Sequence, residues 1–312
     1  MPRWCDWLKR TPNLDYVSRL RELLVRETTP VFIFLGAGLS YGVDRGRAMF
    51  EHHEYEDNSR FPSWTQLVGR MQKQLLTDPI LEPHQQYVER FFKEEGPLDC
   101  AELFRHYIQE PNYWDFLRRQ FGSMPDDHDR LTRSHHALQR LPVKHLFTTN
   151  YDELIELTYR IRSVSIRVSS SSQEFIDNMS QNDQIHFVKL HGTIQSPSSV
   201  VLTRSDYARS RKERALMFQH LLDRFQYSTF LFVGFSLTDP NFNILYDEAR
   251  YVRQNQQPVS YVVQGRQDPI RDAYLRSLGV NSITLDYWEQ LPSFLEVINP
   301  GTDLTPYLSD TH

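Results

Sequence analysis

A chain of 312 residues with 40 acidic and 35 basic side chains, for a formal net charge of −5, has room for one large core with an insertion or for two smaller units. Charges of both signs are interspersed, which excludes a basic footprint for direct nucleic-acid contact and a cationic face for membranes. Its two cysteines, Cys5 and Cys100, stand far apart and exclude a disulfide framework; with no apolar leader in MPRWCDWLKR and no apolar run of membrane-spanning length, the chain reads as a cytoplasmic protein.

Residues 1–30 form a helical segment rich in Trp4, Trp7, Leu8, Leu14, Tyr16, Val17 and Leu20. Such groups serve either an interface or a helix packed on the chain's own sheet. Residues 31–35, VFIFL, are apolar at every position, the pattern of a strand covered on both faces. That strand runs into Gly36-Ala37-Gly38, with Ser40 just beyond. Glycines there permit a tight turn and let a diphosphate approach backbone N–H groups at a helix start, although a turn by itself needs the same residues. Gly42 falls one place too late for GxGxxG.

Residues 43–60 are polar and aperiodic, which predicts a surface loop or lid. From 64 to 141 no strand is evident. Helical patterns at 64–76, 84–92 and 99–107, punctuated by Pro79, Pro83, Pro97, Pro111 and Pro125, predict a helical insertion. Strand-like runs then recur at 144–149, 165–169, 186–190, 229–233, 259–263 and 282–286, with helical spacing between them, as in Tyr151, Leu154, Leu157, Thr158 and Ile161. This alternation predicts an α/β fold, a Rossmann-like doubly wound and mainly parallel sheet over 31–300, followed by a tail at 301–312.

Three more strand ends carry polar residues. In LFTTNYDEL a strand closes at Thr148-Thr149-Asn150 and a helix is expected from Tyr151-Asp152. Asn150 falls where open α/β sheets bind ligands, while a helix cap would account for Asn150 and dipole complementarity for Asp152. In FVKLHGTI a strand closes at His191-Gly192; an imidazole there is placed to act as a base near neutral pH, and a lone histidine is also an ordinary structural residue. In FLFVGFSLTDPNF a strand breaks at Gly234, offers Ser236, and gives way to a helix at Asp239-Pro240. The pairs His52-His53 and His135-His136 lie in polar segments and read as solvated or locally packed.

Taken in order, GAGLS, TTNYD, KLHG and GFSLTDP resemble the sirtuin-like family of NAD-consuming enzymes, and Phe61-Pro62-Ser63-Trp64-Thr65-Gln66-Leu67 resembles the P-x-W-x-x-L segment of its bacterial branch. The resemblance implies that Gly36, Ala37, Gly38 and Ser40 hold the NAD diphosphate. It implies that Asn150 and Asp152 lie by the nicotinamide ribose, that His191 is the catalytic base, and that Gly234 and Ser236 face the adenosine side with Asp239 shaping their loop. Thr149 and Gly192 count as cofactor-binding neighbours. The two CxxC pairs that hold zinc in the deacylase branch cannot be built here, so no zinc is expected and cofactor cleavage is the reaction implied. The resemblance also extends to antiphage domains that deplete NAD beside a HerA-type ATPase or an Argonaute-like protein, and because an enzyme that destroys a central metabolite must be held off in healthy cells, a regulated homo-oligomer is expected. A binding-only sensor of NAD or ADP-ribose remains the alternative, ahead of a deacylase.

Overall fold

The computed structural model describes residues 2–26, 30–40, 61–122, 131–179 and 184–308. The expected lid at 43–60, Gly42, His52-His53 and Pro125 lie outside the described residues, as do the side chains of Trp4 and Cys5.

Seven strands form one parallel sheet in the order β3-β4-β2-β1-β5-β6-β7. They are β1 (Val31–Leu35), β2 (His145–Thr148), β3 (Ile166–Ser169), β4 (Ile185–Lys189), β5 (Thr229–Val233), β6 (Ser260–Gln264) and β7 (Val280–Thr284). Every residue of β1 and of β5 is buried, as strands with both faces covered require. Successive side chains divide between the faces: Val31, Ile33 and Leu35 join one core, Phe32 and Phe34 the other. The first core is covered by the helices Asn13–Val25, Arg133–Gln139, Leu154–Ile161 and Leu291–Ile298, the second by Ser172–Met179, Ala215–Tyr227, Pro240–Val252 and Pro269–Ser277. The fold is therefore doubly wound. Because the chain passes from β1 to β2 on one side and later to β5 on the other, a crevice opens at the carboxyl end of β1.

Between β1 and β2 the helices Trp64–Leu76, Gln85–Glu94, Pro97–Ile108 and Asn112–Phe121 build a third core with Tyr151, Leu154, Ile194, Val200 and Leu202. This helical layer thus rests on the carboxyl ends of the strands. Ser63 and Gln66 form a reciprocal capping box at the start of Trp64–Leu76, which gives the serine and glutamine of PSWTQ a structural role. Trp7, Leu8, Val17 and Leu20 are buried in the chain's own first core, so for them the reading as interface residues gives way to packing on the sheet.

Candidate active site

Four adjacent strands, β4, β2, β1 and β5, end side by side, and their turns surround a cleft of about 640 Å³ roofed by the helical layer. Ala37, Gly38, Ser40, Thr149, Asn150, Asp152, His191, Gly234, Ser236 and Asp239 all line it; Gly36 and Gly192 do not. Phe61, Trp64, Phe121 and Leu202 supply an apolar wall.

The space left by the missing side chains in Gly36-Ala37-Gly38 is filled by backbone. A Cβ on Gly36 would stand 2.4 Å from the carbonyl oxygen of Gly234, and one on Gly38 would stand 2.8 Å from the Gly234 Cα. Gly234 itself has φ +66, and a Cβ there would meet the Leu39 nitrogen at 2.5 Å. The Gly36 N–H donates to the Val233 carbonyl at 3.0 Å and the Gly38 N–H to that of Gly234 at 2.9 Å, so neither amide is open to an anion. Trp288 fixes the same turn from the other side, its Nε1–H donating to the Gly38 carbonyl at 3.0 Å. Gly192, with φ +81, is likewise required by backbone, since a Cβ would overlap the Ser199 carbonyl.

One wall of the cleft joins β1 to β2. The Asn150 amide donates to Ser40 Oγ at 3.0 Å, and the Ser40 hydroxyl donates to Asp152 Oδ2 at 2.8 Å. The helix expected from Tyr151-Asp152 begins instead at Leu154, because Asp152 Oδ1 accepts the Leu154 N–H at 3.1 Å and holds the preceding residues in a turn. Asn150 is therefore no helix cap; its own N–H is held by Thr148 Oγ1 at 2.9 Å, which leaves the side chain facing Ser40 and the cleft. Under this turn lies Lys189, fully buried, donating to the Asp152 carbonyl at 2.5 Å and paired with Glu156 at 2.7 Å. Burial raises Asp152 above the usual carboxylate range, opposed by Lys189 and by the Ser40 hydroxyl; burial raises Glu156 too, again opposed by Lys189.

The other wall joins β4 to β5. His191 is 2% exposed, with Nε2 3.5 Å from Asp239 Oδ2. Asp239 caps Pro240–Val252 through the Phe242 N–H and accepts the Tyr207 hydroxyl at 2.6 Å. Burial lowers the His191 imidazole; Asp239 opposes this and Arg214 reinforces it, leaving a neutral ring at pH 7. Arg214 is spent on the Leu190 and Ser199 carbonyls.

Sequence pattern alone passes over Tyr207, which sits in the polar run RSDYARSRKE, and assigns no part to Lys189. The signals were a Thr203/Asp206 capping box that starts the helix Arg204–Glu213 under Tyr207, and a charged residue within an otherwise apolar strand end. Among the described residues no group of three or more His, Cys, Asp or Glu side chains could hold a metal ion, and no helix is long and apolar enough to cross a membrane.

A parallel, doubly wound sheet with a ligand-sized cleft at its switch point belongs to the Rossmann-like class. More particularly, residues 144–283, from the start of β2 through most of β7, match the SIR2-like domain family. It is 35% identical over 228 residues to the NAD(+) hydrolase ThsA of Enterococcus faecium, covering 72% of this chain and 41% of that protein. It is 30% identical over 229 residues to the NAD(+) hydrolase ThsA of Bacillus cereus (strain MSX-D12), covering 73% and 42%, and 21% identical over 221 residues to defense-associated sirtuin 2 of Bacillus subtilis, covering 70% and 20%. The chain thus spans about two fifths of the length of the two hydrolases.

Proposed function

We propose that this chain is an NAD+ glycohydrolase that releases nicotinamide and ADP-ribose, serving as the NAD-depleting effector of a bacterial antiphage system. The observation that carries the reading is the convergence, on one cleft at the switch point, of an amide wall at Asn150 and a buried neutral imidazole at His191. Relatives named NAD(+) hydrolase support it, as does a cleft within the size range of small-molecule sites.

In this reading the dinucleotide lies across the turns after β1 and β5. Ala37, Gly38 and Ser40 line its diphosphate region, Gly234 and Ser236 the adenosine side, and Thr149, Asn150 and Asp152 the nicotinamide ribose. Gly36 and Gly192 act indirectly, by allowing the turns to meet their neighbours. The bond between nicotinamide and ribose breaks with its electron pair leaving on the ring nitrogen, so positive charge passes to an oxocarbenium-like ribose. Asn150 orients the water that attacks this carbon. His191 accepts the water's proton, help worth about a hundredfold to ten-thousandfold. The reading places the enzyme in the cytoplasm, as a homo-oligomer or beside a partner such as a HerA-type ATPase or an Argonaute-like protein.

The test is chromatography of nicotinamide and ADP-ribose after incubation of NAD+ with the protein, with Asn150→Ala and with His191→Ala, each with and without the product of the neighbouring gene. Release by the wild type and its loss in both variants is the expected result. Tight NAD+ binding without release under every condition would replace the hydrolase by a sensor.

A further inference from the structure

Asp239 is approached by three groups. Its Oδ1 accepts the Phe242 N–H at 2.8 Å, its Oδ2 accepts the Tyr207 hydroxyl at 2.6 Å, and that same Oδ2 lies 3.5 Å from His191 Nε2. Capping does not require the phenol: Asp268 starts the next Asp-Pro helix, Pro269–Ser277, through the same kind of contact, to the Arg271 N–H at 3.0 Å. The Tyr207 ring also stands edge-on to the imidazole, with centroids 5.0 Å apart at 69°.

We propose that Tyr207 is a positioning residue for His191, holding the Asp239 carboxylate in a short hydrogen bond and so setting how much of its charge reaches the imidazole. Its consequence for turnover rests on the hydrolase reading above. The geometry separates two extremes. A carboxylate bonded directly to Nε2 would raise the ring's affinity for a proton further and slow its release; a carboxylate absent would leave the imidazolium uncompensated once the proton arrives. At 3.5 Å, and with its charge shared with a phenol, Asp239 does neither.

The groups facing this pair come from three elements. Asp239 stands at the start of Pro240–Val252, Tyr207 on Arg204–Glu213, and Arg214 between that helix and Ala215–Tyr227, its guanidinium bonded to the Leu190 and Ser199 carbonyls. Tyr151, whose hydroxyl is bonded to the Val201 carbonyl, lies behind the phenol. Of these, Asp239 is the one carboxylate that acts on His191, so the hydroxyl that holds it is the available control.

Two variants separate this role from packing. Tyr207→Phe keeps the ring against the imidazole and removes the hydroxyl; Asp239→Asn keeps an oxygen to cap the Phe242 N–H and removes the charge. The His191 titration is followed in protein labelled with ¹⁵N-histidine, its signal assigned by its loss in His191→Gln, and the pH profile of nicotinamide release is measured alongside. Tyr207→Phe is expected to move the His191 midpoint up and Asp239→Asn to move it down, each by about half a pH unit or more, with the acid limb of release following. Shifts of one sign, or none, overturn the proposal. Opposite shifts in a protein that releases no nicotinamide uphold the coupling and remove the hydrolase reading instead. If Asp239→Asn does not fold, the upward shift in Tyr207→Phe decides, and its absence overturns the proposal.

Discussion

The side-chain amide of Asn150 donates to the hydroxyl of Ser40 at 3.0 Å, joining the turn after β2 to the turn after β1 across 110 positions of sequence. Ser40 passes the contact on to Asp152 at 2.8 Å, so one hydroxyl fixes both polar groups of that wall. Ser40→Ala leaves an amide and a buried carboxylate without their shared partner. Nicotinamide release is expected to fall about a hundredfold, because a small displacement of an orienting group suffices for that. The comparison is steady-state release beside a thermal melt; full turnover would show that Asn150 needs no such support.

The contact between the turns after β1 and β5 predicts a sharp contrast among glycines. Gly234 has φ +66 and no room for a Cβ against the Leu39 nitrogen, so Gly234→Ala should cost more than about 1–2 kcal/mol, the strain of a left-handed residue without any clash. Gly69 is exposed within Trp64–Leu76, and a Cβ there would meet nothing within 4 Å, so Gly69→Ala should stabilise by about 1 kcal/mol. Urea unfolding midpoints of the two variants check both signs.

Strands β1 and β5 were legible because an unbroken apolar run has few alternatives once its length is that of a strand, whereas β7 sits two residues earlier than its polar-flanked pattern suggests. The helix after β2 starts later than its spacing suggests, because Tyr151 falls in register with Leu154 and Thr158 without belonging to their helix. Its ring in fact packs at 5.1 Å against Phe121 of the helical layer, and its hydroxyl bonds the Val201 carbonyl. Local spacing cannot distinguish a residue buried by its own helix from one buried by a distant segment. For the same reason Gly36 and Gly38 read as open to a ligand: what faces their missing side chains is Gly234, brought there only by the sheet. For Tyr207 the capping box foretold a helix but not a site, since its partners Asp239 and His191 arrive from other turns.

Lys189 and Glu156 form a buried pair beneath the Asn150 turn, and breaking it from one side should be severe. Lys189→Met leaves Glu156 buried without its cation and removes the donor to the Asp152 carbonyl; a loss of about 3–5 kcal/mol is expected. Lys189→Met combined with Glu156→Leu should recover part of that stability, because Glu156 is then no longer a stranded charge, although Asp152 still lacks the cation that opposes its burial. Release of nicotinamide should stay low in the double variant, since the turn still lacks its donor. A double variant as unstable as the single one would show that the cost lies in the turn and not in the unpaired carboxylate.

Acid sensitivity should come from buried histidines, those on and beside the sheet adding to His191 in the cleft. Burial lowers His135 to about 3, with His136 adding to it, and lowers His145 and His220 to about 4, with neighbouring cations including Arg224 adding to both. Unfolded histidines titrate near 6.5, so below that pH the unfolded chain binds protons that the folded chain refuses. These groups therefore leave stability unchanged above about pH 6.5 and erode it progressively as pH falls toward 4. His220→Gln removes one such proton from the unfolded state and should flatten the dependence of the urea midpoint between pH 6.5 and 4.5, whatever its effect at pH 7.5. Equal slopes in wild type and variant would mean that His220 takes its proton without loss of the fold, and that the aromatic contacts it makes with Phe147 and Phe175 tolerate the charge.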